Sequence, residues 1–146
     1  MTRQSKSWLY IAAIALVLPG CKKETGAPTI LESRAQPFVA DIPVPKGFNL
    51  DREKSDHSYT EGRRKIKHFY MGTKDLQSVR NFYYDKMPSG QWRLVDETLA
   101  AGVYTLKYKK FEEACEVRIE KIPAKLFKPG TQIVVTVKTP HLESNY

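Results

Sequence analysis

Cysteine, histidine and long apolar segments are scarce in this sequence of 146 residues, and each scarcity narrows its interpretation. The apolar run from Trp8 to Leu18 has eleven residues. A helix of that length rises about 16 Å, whereas a membrane-spanning helix of about 20 residues rises about 30 Å. The histidines at positions 57, 68 and 141 show none of the spacings of metal-binding motifs. We therefore predict neither a conventional transmembrane helix nor a bound metal or other cofactor.

Sequence motifs of enzymes are absent as well. There is no Gly-x-Ser-x-Gly elbow, no Walker loop and no Gly-x-Gly-x-x-Gly turn. His57, with Asp51 or Asp56, could in principle bind a cation or move a proton, but a solvated loop histidine is the simpler interpretation. The sequence therefore predicts a protein that is not an enzyme.

Only two cysteines are present, Cys21 and Cys115. Cys115 alternates with Val117 and Ile119, which predicts a buried core residue rather than a reactive thiol. His68 would form a thiol–imidazole pair with Cys115 only if their two strands were neighbours. If Cys21 is modified, no internal disulfide can form, and the fold must be stable through packing alone.

The first part of the chain has the layout of an export signal. Arg3 and Lys6 precede the apolar run, and Pro19-Gly20 ends it. Residues Leu18-Pro19-Gly20-Cys21 resemble the lipobox of bacterial lipoproteins, which has Leu three places before the cysteine and a small residue directly before it. Pro19 departs from the usual middle residue, which leaves open a slowly processed or uncleaved form.

The resemblance implies that residues 1–20 are a signal peptide and that the thiol of Cys21 receives a diacylglycerol. Two or more acyl chains anchor a protein stably to a membrane. Because Lys22 rather than Asp follows the cysteine, the resemblance also implies delivery to the outer membrane, facing the periplasm, if the cell is Gram-negative. Residues 21–37, rich in small and polar residues, are predicted to be a lipidated tether.

Residues 38–140 are predicted to form a single α+β domain, followed by a C-terminal tail at 141–146. A long first strand from Ser58 to Tyr70 is indicated by alternating basic and apolar residues. A helix follows, with Thr73 placed to cap it. Its apolar stripe is formed by Leu76, Val79, Phe82, Tyr83 and Met87.

Alternation and turn residues predict four further strands: Trp92–Thr98, Val103–Lys109, Ala114–Ile122 and Thr131–Thr139. The order β-α-β-β-β-β favours one helix packed on one face of a four- to five-stranded antiparallel sheet. We predict that Lys109 lies opposite Ala114, because this register sets Lys107 against Glu116.

The chain is basic, with a formal charge of +8 that would fall to +6 if residues 1–20 were removed, since Arg3 and Lys6 are the charged residues there. Five cations on predicted strands are candidates for contact with an anionic surface: Arg63, Lys65, Lys67, Lys107 and Lys109. They would form one stripe if their two strands were neighbours, and each would contribute about 1 kcal/mol near an anionic membrane. The simpler alternative is a solvated face partly neutralised by Glu116 and Glu120.

Together these patterns predict an exported, membrane-anchored lipoprotein with a small non-catalytic binding or structural domain in the cell envelope. Its partners would be the membrane, through the lipid on Cys21, and an envelope protein or an anionic surface. Nucleic acid is not expected as a partner at that location. Two alternatives stay open: a basic-surface module that docks on anionic lipid, glycan or acidic protein, and a small envelope enzyme.

Overall fold

A computed structural model describes residues 26–123 and 130–140. The predicted signal peptide (1–20), the predicted lipidation site at Cys21 and the predicted C-terminal tail (141–146) lie outside the described residues. In the two described ranges, no helix has both the length and the apolar character that crossing a membrane requires.

The described chain folds into one helix and one antiparallel sheet of seven strands. The elements are β1 Asn49–Leu50, β2 Asp56–Thr60, β3 Arg63–Gly72, α1 Leu76–Lys86, β4 Arg93–Ala100, β5 Val103–Lys110, β6 Glu113–Ile122 and β7 Gly130–Lys138, with a 3-10 turn at Met87–Gly90 after the helix. The strand order in the sheet is β1-β3-β7-β6-β5-β4, and β2 also pairs with β3.

The prediction of a four- to five-stranded sheet was therefore wrong, and two causes explain the difference. The predicted long strand Ser58–Tyr70 is a hairpin of β2 and β3, because the chain reverses at Glu61 and Gly62, which have φ angles of 50° and 75°. Two-residue hairpin loops favour such positive φ angles. The short strand β1 adds a further pairing, with Leu50 opposite Tyr70.

The predicted register of the β5–β6 hairpin is confirmed. Lys109 lies opposite Ala114, Lys107 opposite Glu116 and Tyr108 opposite Cys115. Opposite charges on facing strands stabilise a pairing by about 0.2–1 kcal/mol, and like charges destabilise it by a similar amount. Charge pairing was therefore sufficient to choose this register over one slipped by two residues, which keeps the same residues on the core face but sets Lys107 against Arg118.

The helix cap lies two residues later than predicted. Asp75, rather than Thr73, is the N-cap residue, and its carboxylate accepts hydrogen bonds from the backbone N–H of Ser78 (2.8 Å) and from the Ser78 hydroxyl (2.6 Å). Such a cap satisfies N–H groups that have no partner within the helix. The predicted apolar stripe is confirmed: Val79, Phe82, Tyr83 and Met87 are buried, and Leu76 is partly buried against them.

One face of the sheet, which we call the inner face, is covered by α1 and by the chain segment that precedes β1. Val39, Ile42, Val44 and Phe48 from this segment are buried in the same cluster as the helix residues. Gly72 permits this packing, since a Cβ atom there would come within 2.7 Å of the Phe48 ring. The opposite face of the sheet is the outer face.

Part of the predicted tether packs against this domain. The backbone N–H of Thr29 donates to the Ser78 hydroxyl (2.7 Å), and Leu31 is buried. Further along, the N–H of Arg34 donates to the carbonyl of Val44 and the N–H of Lys46 to the carbonyl of Glu32, each at 2.8 Å. The chain is thus fixed to the domain from Thr29 onward.

Candidate functional site

Cys115 and His68 both belong to the inner face but lie on strands that do not pair. Cys115 is buried, as predicted, and burial raises the pKa of its thiol above the usual range. β7 lies between β3 and β6, so that His68 is opposite Val135 and Val135 is opposite Val117. The condition for a thiol–imidazole pair is not met.

His68 instead belongs to a small aromatic cluster at the β2–β3 end of the sheet. Its Nδ1 atom lies 3.0 Å from the Tyr70 hydroxyl, and its ring stands 5.6 Å from that of His57. Burial, followed by the proximity of His57, lowers the pKa of His68. His57 lies on β2 rather than in a loop and is exposed. The described residues contain no group of three or more side chains placed to hold a metal ion.

The five cations predicted to contact an anionic surface lie on two strands that are not neighbours. Arg63, Lys65 and Lys67 are on β3, Lys107 and Lys109 are on β5, and β7 and β6 lie between those strands. The condition for one continuous stripe of these five residues is therefore not met. Lys107 forms an ion pair with Asp96 on β4 (3.0 Å), and the Lys67 ammonium lies over the Phe69 ring.

A cluster of four charged side chains closes the inner face where β3, β5 and β6 meet the N-terminal segment. Arg64 forms paired hydrogen bonds with Asp41 (2.6 and 2.7 Å) and also with Glu113, while Lys110 contacts Asp41 at 2.7 Å. Although partial burial raises the pKa of Asp41, hydrogen bonds from Arg64 and Lys110 outweigh it and lower that pKa to about 2. The charges balance within the cluster, which indicates a structural role.

This cluster was missed at the level of sequence, although one signal for it was present. Arg64 and Lys110 are in phase with the apolar inner-face residues Ile66 and Tyr108, so alternation alone places two cations at the edge of the core. Their partner Asp41 lies 23 residues before Arg64 and 69 before Lys110. No local pattern links residues so far apart.

The candidate binding site is a cleft between the end of the helix and the β4–β5 edge of the sheet. It has a volume of about 560 Å³, within the range usual for small-molecule sites. Aromatic and apolar side chains dominate its lining, which includes Tyr84, Pro88, Trp92, Leu94 and Tyr108. The cleft was not predicted, because the helix-to-sheet spacing that opens it depends on tertiary packing.

Three interactions hold the walls of this cleft in place. Arg80 on α1 forms two hydrogen bonds of 2.6 Å with Glu97 on β4, and its guanidinium also lies over the Tyr84 ring, 4.7 Å from the ring centroid. On the other side, the Trp92 indole N–H donates to the carbonyl of Asp41 (3.0 Å). The helix wall and the tryptophan are therefore both anchored, and the cleft between them is preformed.

Tyr108 is one of the residues that line the cleft, and it carries a polar atom for which the described residues supply no partner. Its side chain lines the cleft, and its hydroxyl is buried with no hydrogen-bond partner among the described residues. The Tyr83 hydroxyl, on the helix, is in the same condition. A buried hydroxyl without a partner costs about 1–3 kcal/mol, so two of them on the inner face are unfavourable unless something else binds them.

Comparison with known proteins identifies the family of this domain. Residues 53–137, more than half of the chain, match a family model described as START domain-like. No curated protein and no solved structure matches the chain. START-like domains are typically binding domains rather than enzymes. The matched segment runs from the turn before β2 into β7 and contains the helix and both walls of the cleft, and the chain therefore belongs to the START domain-like family.

Proposed function

We propose that this protein is an exported, lipid-anchored lipoprotein whose START-like domain binds a small, largely apolar molecule without transforming it. The ligand occupies the cleft between α1 and the β4–β5 edge. Family membership supports binding rather than catalysis. The observation that carries the choice of site is Tyr108, which lines the cleft and has a buried hydroxyl with no partner in residues 26–123 and 130–140.

The chemistry of the cleft defines the class of ligand. Rings of Tyr84, Trp92 and Tyr108 and the side chain of Leu94 favour an apolar or aromatic body. One hydrogen-bonding atom on the ligand would pair with the Tyr108 hydroxyl. A site that leaves a buried hydroxyl unpaired when the wrong molecule binds discriminates strongly against that molecule.

A pair of conservative variants tests the cleft. Tyr108→Phe keeps the ring and removes the hydroxyl, whereas Tyr83→Phe makes the same change at a buried hydroxyl on the helix. The readout is native mass spectrometry of the protein with small molecules that co-purify from its own cells, followed by titration of the identified compound. We expect Tyr108→Phe to weaken binding about tenfold, which is the effect of losing one hydrogen bond of about 1.4 kcal/mol.

The stability of the same variants separates a binding role from a structural one. Since neither hydroxyl has a partner in the described part of the chain, neither substitution should lower the free energy of unfolding of the ligand-free protein. Unchanged affinity in Tyr108→Phe, together with equal binding by a variant that fills the cleft, Leu94→Trp, would exclude this cleft as the site.

The anchor is proposed on Cys21, following the likeness of Leu18-Pro19-Gly20-Cys21 to a lipobox. Because the chain is fixed to the domain at Thr29, only seven residues separate the lipid from the folded part. Fully extended, the connection from Cys21 to Thr29 spans at most about 29 Å. The domain would thus lie close to the membrane, with the start of α1 toward it.

Metabolic labelling tests the anchor independently of the ligand. Labelled fatty acid should be incorporated into the wild-type protein and into Cys115→Ser, which retains Cys21, but not into Cys21→Ser. Equal labelling of all three proteins, or none of the wild type, would contradict the anchor. In a Gram-negative cell, fractionation should place the labelled protein in the outer membrane, facing the periplasm.

The basic-surface alternative is less favoured by the position of the anchor. Thr29 contacts the start of α1, near Thr131, whose hydroxyl donates to the carbonyl of Lys74. Lys65 and Lys109 lie level with Lys138, at the other end of β7 and on the outer face. Seven residues of a strand span about 24 Å. A membrane bound at Cys21 and a membrane bound at these lysines would therefore meet opposite ends of the domain.

A further inference from the structure

The outer face contains a row of basic residues that crosses the sheet at one level. Successive strands place Lys65 opposite Lys138, Lys138 opposite Ala114, Ala114 opposite Lys109, and Lys109 opposite Arg93. Four of the five positions are cationic. Like charges directly opposite on neighbouring strands are destabilising, so this row does not serve the stability of the sheet.

Ala114 interrupts the row and forms the floor of a groove. Lys109 and Lys138 stand on the two strands beside it, about 10 Å apart at the backbone. Neither forms an ion pair with any described residue, and both are exposed. Because lysine side chains are long and flexible, the two ammonium groups can converge on one anion above Ala114.

A β-bulge adds an apolar side chain to the same groove. The register of β4 and β5 shifts between Leu94 and Asp96, which makes Val95 the extra residue. Leu94 lies on the inner face, whereas Val95 lines the outer groove and is 45% exposed. Bulges re-aim side chains in this way and are frequent beside functional sites.

The groove is small and carries net positive charge. Its volume is about 290 Å³, and the lining includes Val95, Ala114, Thr136 and the lysines at 107, 109 and 138, together with Glu116. Three lysines against one glutamate leave a net charge of +2, although Lys107 is already paired with Asp96. An apolar floor between Lys109 and Lys138, which have no ion-pair partner where the structure is described, matches a molecule that has one negative group and a short apolar body.

We propose that this outer groove binds a small amphiphilic anion, with its negative group between Lys109 and Lys138 above Ala114 and its apolar part on Val95. The site lies on the opposite face of the sheet from the proposed cleft, and Tyr108 on β5 is the one residue common to the two linings. Carboxylate and phosphate monoesters share the required chemistry. A flat membrane surface does not fit as well, because the apolar floor is recessed between lysine side chains and the anchor is at the far end of the strands.

The test uses octanoate, octyl phosphate, octanol and inorganic phosphate as probes of the full chain, with binding followed by calorimetry and by the NMR signals of Ala114 and Val95. We expect both octyl anions to bind and to shift these signals, and octanol and inorganic phosphate to bind at least tenfold more weakly. Equal binding of octanol would exclude charge recognition. Equal binding of inorganic phosphate would exclude the apolar part of the proposal.

Matched variants locate the site. Lys109→Gln with Lys138→Gln should weaken octanoate binding at least tenfold, whereas Lys65→Gln with Lys67→Gln, which removes the same charge from β3, should change it less than twofold. Ala114→Ile keeps every charge and fills the groove, on an exposed strand position that accepts a β-branched residue, and should abolish binding.

Three outcomes would overturn the proposal. Equal losses in the two lysine pairs would indicate diffuse attraction to the whole face, and this result would be accompanied by similar binding to vesicles of anionic phospholipid. Unchanged binding in Ala114→Ile would place octanoate elsewhere. Loss of octanoate binding in Leu94→Trp but not in Ala114→Ile would assign octanoate to the cleft, which would support the proposed function and refute this site.

Discussion

The two faces of the sheet are formed by the same strands but differ in their unpartnered groups: hydroxyls without hydrogen bonds on the inner face and lysines without ion pairs on the outer face, among the described residues. On the inner face, the hydroxyl of Tyr108 is buried without a partner among the described residues, as is that of Tyr83 on the helix that covers this face. On the outer face, Lys109 and Lys138 are exposed and form no ion pair there. The inner face is thus suited to an apolar molecule with one hydrogen-bonding atom, and the outer groove to a charged one. Strand alternation creates this difference, and the β-bulge at Val95 sharpens it.

The largest expected effect is a loss of stability on removing a side chain from the inner face, with little change on removing its neighbour from the outer face. Leu106 is fully buried beneath the helix, and its neighbour Thr105 projects from the outer face. Leu106→Ala should destabilise the protein by about 3 kcal/mol, because it removes buried methyl groups and leaves a cavity. Thr105→Ala should change the free energy of unfolding by less than about 0.5 kcal/mol. Urea denaturation measures both values.

The contrast between these two variants is also a test of whether the outer face is solvated. A cost at Thr105 as large as that at Leu106 would mean that another part of the chain or a second copy covers the outer face. The proposed groove would then be closed, and the comparison between the two faces would fail.

A second prediction concerns the charged cluster that closes the inner face. Asp41 has a pKa of about 2 in the folded protein, against an ordinary value of 3.8. A carboxyl group whose pKa is lowered by folding stabilises the protein at pH values above its pKa in the unfolded chain. That stabilisation is lost as the pH falls through its pKa in the folded protein. Asp41 should therefore contribute about 2 kcal/mol at neutral pH, lost between about pH 4 and pH 2.

Asp41→Asn should remove this contribution and flatten the acid side of the stability curve. Measuring urea unfolding at a series of pH values from 2 to 7 compares it with Asp85→Asn, a change at an exposed helix residue that should have little effect. If Asp41→Asn loses stability on acidification as steeply as the wild type, the acid sensitivity has another source. The charged cluster that closes the inner face would then not contribute to stability in the way proposed.

Local sequence pattern was sufficient to predict the structural features that depend on residues close together in the chain. Alternation identified the core side of β5 and β6, charge pairing selected their register, and helical spacing identified the buried stripe of α1. Each of these depends on residues that are close in sequence or joined by a short turn. The burial of Cys115 was predictable for the same reason.

Local pattern was insufficient where a single turn or a distant partner decides the structure. Alternation continues through Glu61-Gly62, and this hid the reversal between β2 and β3. A similar turn at Ala101-Gly102 falls between two of the predicted strands, Trp92–Thr98 and Val103–Lys109. The cleft depends on contacts between Trp92 and Asp41, which are 51 residues apart. Sequence periodicity carries no information about such distances.

The smallest expected effect lies at the end of the inner face formed by β2 and β3. His68 is buried beside His57, and its pKa is lowered by burial and by that neighbour. For a histidine, a lowered folded pKa means that the unfolded chain binds more protons, so stability falls as the pH decreases below about 6.5. His68→Gln should abolish this loss between pH 7 and pH 5, while the Tyr70 hydroxyl retains a polar neighbour.

His57→Gln supplies the matched control for that effect. Removing the exposed neighbour takes away one of the two causes of the shift, so the loss of stability below pH 6.5 should become smaller but should not disappear. Equal pH dependence in the wild type and in His68→Gln would show that His68 does not titrate on unfolding. The loss of stability below pH 6.5 would then have to come from carboxyl groups. A buried neutral imidazole at His68 would no longer be a feature that distinguishes the inner face from the outer face.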